Sequence, residues 1–409
     1  MSSAKQEQPT KQFRFIALVA MLTALMAMSI DTMLPALGIM TKELGAPDGI
    51  SEPLIMLLFF AGNMFGMPVF GPMSDSLGRK PASYASLVIY VLGSLLCFWA
   101  WSFPALLMGR FIQGFGAGGP RVVAMAMVRD GAKGAAMAKI MSFVMSVFML
   151  VPIFAPSIGQ FALLFASWHY LFLGLAVMAM IAGIWLGLGQ DETLSLENRR
   201  PFSAAKLWGA AVEVVKNRIA FGYTLATGVV FGVFISYLSI CRRIYVDQYD
   251  MGKWFPLIFG SCAVCIAAAM IVNGSLVQKL GMRRLSRDAM ILYVGVWVAI
   301  LALSLAYAGQ PPLYLLVPLF GVWFFAAGFT FGNFNAMAME PMGHIAGMAA
   351  AVSGVLSQAI GIGLGMIATR YYDGALTPLA VVFTIYAVIA FLLAEWAEMV
   401  RPEQVKSIA

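Results

Sequence analysis

One repeated length constrains this chain more than anything else in it. Apolar stretches close to the roughly 20 residues that a helix needs to cross a bilayer recur from end to end. They fall at 15–37, 54–73, 82–102, 104–128, 139–162, 169–189, 219–241, 254–277, 288–308, 313–335, 345–369 and 377–399. Hydrophobic residues make up 61% of the chain and charged residues 11%, where a soluble domain has roughly 25% charged. A soluble core with a polar surface is excluded. The expected fold is an all-α polytopic membrane protein with twelve transmembrane helices in two six-helix bundles.

The longest polar connection, 190–218, divides the spans six and six. The expected plan is an N-terminal tail (1–14), a first bundle (15–189), a linker (190–218), a second bundle (219–399) and a C-terminal tail (400–409). The apolar run from Phe15 continues through Pro35 with no small-residue cleavage site, so it reads as a retained first span.

Most of the 26 Lys and Arg fall in the tails and in the loops on the same side as the tails. Lys42, Arg242, Arg243, Lys253 and Arg370 mark the opposite side. That bias places both termini in the cytoplasm. The net charge of +7 is spread over short loops beside spans, so no nucleic-acid partner is expected. Of the four cysteines, Cys97, Cys262 and Cys265 lie within spans with no polar neighbours, as small core residues.

Between spans two and three stands Gly71-Pro72-Met73-Ser74-Asp75-Ser76-Leu77-Gly78-Arg79-Lys80-Pro81. A weaker echo, with Gly281 shortly before the adjacent pair Arg283-Arg284, closes span eight at 273–284. Span one holds Ser29-Ile30-Asp31-Thr32-Met33-Leu34-Pro35, and span four holds Arg110-Phe111-Ile112-Gln113-Gly114-Phe115-Gly116-Ala117. Val128-Arg129-Asp130 closes span four, Pro152, Ala155, Pro156 and Gly159 mark span five, and Glu192-Thr193-Leu194 follows span six.

Together these segments resemble the major facilitator superfamily, and within it the bicyclomycin-resistance subfamily of twelve-span drug/proton antiporters. The resemblance covers essentially the whole chain. It implies a substrate cavity between the two halves near mid-membrane, lined by spans one and four. It also implies a cytoplasmic gate formed by Gly71, Asp75, Gly78, Arg79, Lys80, Arg129 and Asp130, with the loop aspartate facing the start of span eleven near 343–347. The chain departs from the family at Ser76, which replaces a common arginine, at Gly119-Pro120-Arg121, at Met125 and at Cys241-Arg242-Arg243. Those departures bear on the substrate.

Asp31 is the only acidic residue well inside a span of the first half. An unpaired carboxylate at that depth costs several kcal/mol, so such groups are neutral, paired or functional. Sheltered from water the acid favours its neutral form, and beside a cation its charged form. Moving between the two would carry a proton; the plain alternative is a cap on span one or a pair with a loop. Arg110 is the expected partner, because in the family the matching arginine is tied to proton coupling. A fixed structural pair is the alternative for it.

Arg121, deeper in span four, should avoid lipid and face the cavity or another helix. Arg242 is expected either to snorkel toward headgroups or to join Arg121 in a cationic cavity suited to anionic or zwitterionic solutes. Met26, Tyr237 and Phe234 are candidates for an adaptable pocket lining. Glu395 and Glu398 read as headgroup-facing.

The expected function is proton-coupled export of small organic molecules, drugs or metabolites, by alternating access. The alternative is a symporter of the same fold taking up an organic anion or metabolite. Two histidines on opposite faces give no metal spacing, and no GxxxxGK[ST] phosphate loop occurs. An enzyme, a metal, a cofactor and ATP drive are therefore not expected. The expected partners are a small-molecule substrate, protons and the lipid bilayer. The expected setting is a monomer in a bacterial inner membrane.

Overall fold

A computed structural model describes residues 3–47, 50–132, 134–199 and 204–399. The expected C-terminal tail and linker positions 200–203 lie outside the described residues. Twelve long helices follow one another in the described residues: α1 (Ser3–Asp31), α2 (Ser51–Leu77), α3 (Arg79–Phe98), α4 (Phe103–Gly131), α5 (Gly134–Leu163), α6 (His169–Gly189), α7 (Arg218–Arg242), α8 (Phe255–Leu280), α9 (Met282–Ala306), α10 (Leu313–Met339), α11 (Ala346–Arg370) and α12 (Leu376–Glu398). No strand occurs among the described residues.

Ten stretches are long and apolar enough to cross a membrane. One of them, Leu313–Arg370, holds α10 and α11 together, joined through the 3-10 segment Glu340–Ile345. The helix outside the ten is α4, where Arg110, Gln113, Arg121 and a run of glycines dilute the apolar signal.

Local chemistry explains several helix ends. Ser102 opens α4 by accepting a hydrogen bond from the Ala105 N–H at 3.4 Å, and Pro104 sits in a first turn that needs no donor. Asn217 opens α7 in the same way, accepting from the Ala220 N–H at 3.0 Å.

Span one differs from the continuous helix expected over 15–37. Helix α1 starts at Ser3, so most of the segment read as a tail is helical, and it stops at Asp31. A turn at Thr32–Met33, a 3-10 turn Leu34–Ala36 and a short helix Leu37–Glu43 carry the chain onward. Pro35 accounts for the break. It has no N–H for the preceding ladder and fits the first turn of a new helical piece.

The chain divides into two compact units. Unit 1 comprises Met1–Ala46 and Leu58–Phe202, and unit 2 comprises Pro47–Leu57 and Ser203–Ala409. In unit 1, α4 packs closely on both α2 and α3 because its small residues let backbones meet. A side chain at Gly114 would overlap the Phe59 carbonyl, and one at Gly116 would overlap the Tyr90 backbone. In unit 2, α7 is the central helix, packed against α10, α11 and α12. The amphipathic helix Ala204–Lys216 lies within the expected linker. It lays Ala210 and Val214 on Met342, Ala349 and Val352 and leaves Trp208 exposed.

Candidate functional site

The polar core of unit 1 forms where α1, α3 and α4 meet. Asp31, the last residue of α1, is only 4% exposed. Among the described residues it is in no ion pair, so Arg110 is not its partner in this conformation. Arg110 is fully buried and reaches α1 two residues earlier. Its Nη1 donates to the Ser29 carbonyl at 3.3 Å and to Gln113 Oε1 at 2.6 Å, while the guanidinium lies 4.3 Å from the Phe59 ring centroid. Arg110 thus meets α1 at a backbone carbonyl and not, among the described ion pairs, at the Asp31 carboxylate.

Gln113 passes the network on, its Nε2 donating to Ser94 Oγ at 2.9 Å. Ser29 Oγ gives its own proton to the Leu25 carbonyl at 2.6 Å, so the Tyr90 hydroxyl bonded to it acts as donor. Gln113 entered the sequence analysis only as part of the span-four signature, and Tyr90 did not enter it.

Arg121, eleven residues beyond Arg110, is half-buried with its guanidinium 4.8 Å from the Phe148 ring centroid on α5. It is in no ion pair among the described residues. Met26 is half-buried on α1.

The other expected lining residues belong to unit 2. Tyr237 is fully buried: its hydroxyl shares a hydrogen bond with that of Tyr245 at 3.0 Å, and its ring sits among Phe259, Phe320, Trp323 and Phe324. In this conformation it presents no surface to a solute. Phe234 is half-buried beside Phe231, Phe324 and Phe331.

Arg242 neither snorkels nor stands alone. Its Nη1 pairs with Glu52 Oε1 at 2.9 Å and with Asp247 Oδ2 at 3.3 Å. Arg243 lies over the Tyr372 ring at 4.8 Å. Glu52 was missed by the sequence analysis; it lies two residues before the span expected at 54–73, in what proves to be the first turn of α2.

The residues of the loop signature converge at one end of unit 1. Arg79, 5% exposed, donates from Nε to Asp130 Oδ2 at 2.7 Å, from Nη1 to Ser74 Oγ at 2.6 Å, and to Asp75 across the α2–α3 turn. Lys80 Nζ donates to the Gln190 carbonyl at 2.7 Å. Arg129 is exposed, and Gly71 has room beside Val122.

Helix α3 starts without a cap from its own sequence. Glu192, more than a hundred residues on, supplies one: its two carboxylate oxygens accept from the Arg79 and Lys80 N–H groups at 2.9 and 3.0 Å. Gly78 permits this because its φ is 115° and because any side chain there would strike Glu192. Burial opposes the Glu192 charge, but the N–H donors of Leu194, Lys80 and Arg79, with the nearby Arg199, hold its pKa below the usual carboxylate value.

The sequence echo at 273–284 has a structural counterpart. Arg283 in the first turn of α9 pairs with Glu340 after α10 and with Glu398 Oε1 at 3.1 Å at the end of α12. Arg287 pairs with Glu395 Oε1 at 3.0 Å. Glu395 and Glu398 are thus ion-pair partners of these two arginines, and all four side chains keep part of their surface exposed.

Buried polar groups inside twelve membrane-length helices, with charges gathered at helix ends, define a multi-pass membrane transporter. A family profile described as Major Facilitator Superfamily matches residues 19–366, and the chain belongs to that family. It is a transporter and not an enzyme. It is 29% identical to an uncharacterized MFS-type transporter, YdgK, of Bacillus subtilis, over 84% of this chain and 85% of that one. It is 28% identical to a bicyclomycin resistance protein homolog of Haemophilus influenzae, over 90% and 92% of the two chains. Among solved structures it resembles the human organic anion transporter MFSD10 (TETRAN), with a TM-score of 0.67 at 17% identity over 95% and 99% of the chains, a likeness of fold alone.

Proposed function

We propose that this transporter exports small organic molecules in exchange for protons, by alternating access, with Asp31 as the proton carrier. The observation that carries the reading is a nearly inaccessible carboxyl at a break in span one, in no ion pair among the described residues. Discontinuous spans are where transporters of this kind build their sites. The C-terminal end of α1 presents negative dipole charge, and an unpaired carboxylate beside it in lipid-depth surroundings is costly. The neutral, protonated acid is the form that suits this conformation.

In the proposed cycle the last turn of α1 rotates and brings the carboxyl toward Arg110, which stays charged and so favours proton release. The bond from Arg110 to the Ser29 carbonyl already places the guanidinium beside that turn. Asp75, Arg79, Lys80, Arg129 and Asp130, with Gly71 and Gly78, serve the gate. Arg121, Met26 and Phe234 are proposed to contact solute, and Arg121 favours an anionic or zwitterionic one. Arg242 is neutralised by Glu52 and Asp247, so it contributes less positive potential than Arg121. The resistance-named relative supports export, and the Lys/Arg bias supports a bacterial inner membrane with both termini in the cytoplasm. A monomer is the proposed working unit.

Inside-out vesicles carrying an imposed pH gradient test the scheme, with bicyclomycin and a panel of organic anions as solutes. Solute uptake into the vesicles coupled to proton loss, abolished in Asp31→Asn, is expected. Accumulation confined to right-side-out vesicles would instead establish the symporter, and coupling unchanged in Asp31→Asn would remove the carrier.

A further inference from the structure

Beyond the break after Asp31, the outer piece of span one is attached to unit 1 at both of its ends. At its start, α5 runs so close that a side chain at Gly159 would overlap the Thr32 carbonyl. At its finish, Glu43 Oε2 accepts a hydrogen bond from Trp168 Nε1 at 2.7 Å. Glu43 is the last residue of the helix Leu37–Glu43, and Trp168 is the residue that precedes α6. Both attachments therefore lead to one support, the hairpin of α5 and α6. Between them, Leu34, Ala36, Leu37 and Met40 are fully buried.

The second attachment is the more specific of the two. Trp168 is only 1% exposed, and an indole has one N–H to donate and no acceptor. A buried N–H needs a partner, and Glu43 supplies it. The ring is fixed in place. His169 stacks on it with centroids 3.6 Å apart, and Phe172 meets it edge-on at 6.0 Å. His169 is held in turn by Ser167, whose Oγ lies 2.8 Å from Nδ1.

On the other side of the break the restraints are of another kind. The last turn of α1 is met by the long side chains of Arg110, at the Ser29 carbonyl, and Tyr90, at the Ser29 hydroxyl. Such contacts can be exchanged by rotating a side chain, whereas the seat of Thr32 on Gly159 is backbone against backbone. A break with one arm clamped and the other held by exchangeable bonds turns on the second arm.

We propose that Trp168 is a positioning residue for the proton carrier. Through Glu43 it holds the outer piece of span one on the α5–α6 hairpin, so that rotation at Thr32–Met33 moves Asp31 relative to Arg110 and is not lost in the outer piece. This inference rests on Asp31 as that carrier.

Hydrogen exchange read by mass spectrometry on the full-length protein in detergent tests the anchor. Amides of Leu37–Glu43 should exchange about tenfold faster in Trp168→Phe and in Glu43→Ala, the worth of one hydrogen bond to a charged group. Glu43→Gln, whose amide oxygen still accepts, should stay near wild type. Glu43→Ala alters an exposed residue, so it carries the test should Trp168→Phe misfold. The transport readout is bicyclomycin uptake into inside-out vesicles under an imposed pH gradient. There kcat should fall about tenfold with KM unchanged, because the anchor serves the proton step and not solute binding. If wild-type vesicles take up no bicyclomycin, the exchange rates alone decide. Exchange unchanged in both variants overturns the proposal, and so does a raised KM with kcat unchanged. Coupling retained in Asp31→Asn overturns the carrier reading instead, and the exchange rates of Leu37–Glu43 tell that failure from loss of the anchor.

Discussion

Gly78 and Gly281 offer a matched experiment, because both precede a helix with backbone angles that only glycine adopts readily. Gly78 has φ 115° and ψ 162°, and Gly281 has φ 79° and ψ 150°. Forcing alanine into that region costs about 1–3 kcal/mol. At Gly281 nothing lies within 4 Å of the added methyl, so strain is the whole effect. At Gly78 the methyl would stand 2.7 Å from Glu192 Oε2, and the carboxylate that caps α3 must leave. Losing a helix cap adds about 0.5–2 kcal/mol. Gly78→Ala should therefore cost more than Gly281→Ala by about that increment.

The assay is denaturant unfolding of the purified protein in detergent, with Gly78→Ala repeated in a Glu192→Ala background. There the cap is already gone, so the cost of Gly78→Ala should fall to that of Gly281→Ala. Costs that are the same in both backgrounds would refute the idea that Gly78 exists to admit Glu192.

Three more outcomes follow from the same geometry. Because Glu192 has a folded pKa below its usual 4.5, it stabilises the protein above that value and loses the contribution as pH falls through the lower folded pKa. The stability gap between wild type and Glu192→Gln should accordingly shrink on acidification below about pH 4.5, as measured by unfolding at several pH values. Arg79→Ala leaves Asp130 and the exposed Asp75 without their cation and should destabilise by about 1–3 kcal/mol, and Arg79→Lys should recover only part of that, since lysine lacks the planar fork. Gly116→Leu should block assembly of α3 on α4 and abolish membrane-inserted folded protein, seen by size-exclusion profile and yield, whereas Gly363→Leu, with open space around it, should be tolerated.

What could be read before folding was set by which signals are local. Span length is local, so the helices fell close to the expected positions. Proline punctuation is local too, yet the break after Asp31 came as a structural finding, because Pro35 lies near the end of an apolar run that hydropathy alone joins up. The facing of residues within such helices is not local. A helix apolar all round carries no moment to say which side meets protein and which meets lipid, and so Tyr237 read as a pocket residue and proved to be core. Long-range pairing was the least legible. The Glu192 cap on α3 and the Glu52 pair with Arg242 join residues more than a hundred positions apart, and no periodicity marks either acid. The partner that Arg110 has in this conformation was equally hidden: it meets the Ser29 backbone carbonyl, two residues before Asp31, and no side-chain pattern marks a carbonyl.

The central claim is that the Asp31 carboxyl takes up and surrenders the transported proton. The most direct measurement is proton release from purified, detergent-solubilised protein, followed with a pH indicator in weak buffer, on adding the solute that the vesicle screen selects. Wild type should release protons in proportion to bound solute, while Asp31→Asn should bind the solute and release none. Undiminished release from Asp31→Asn would contradict the account.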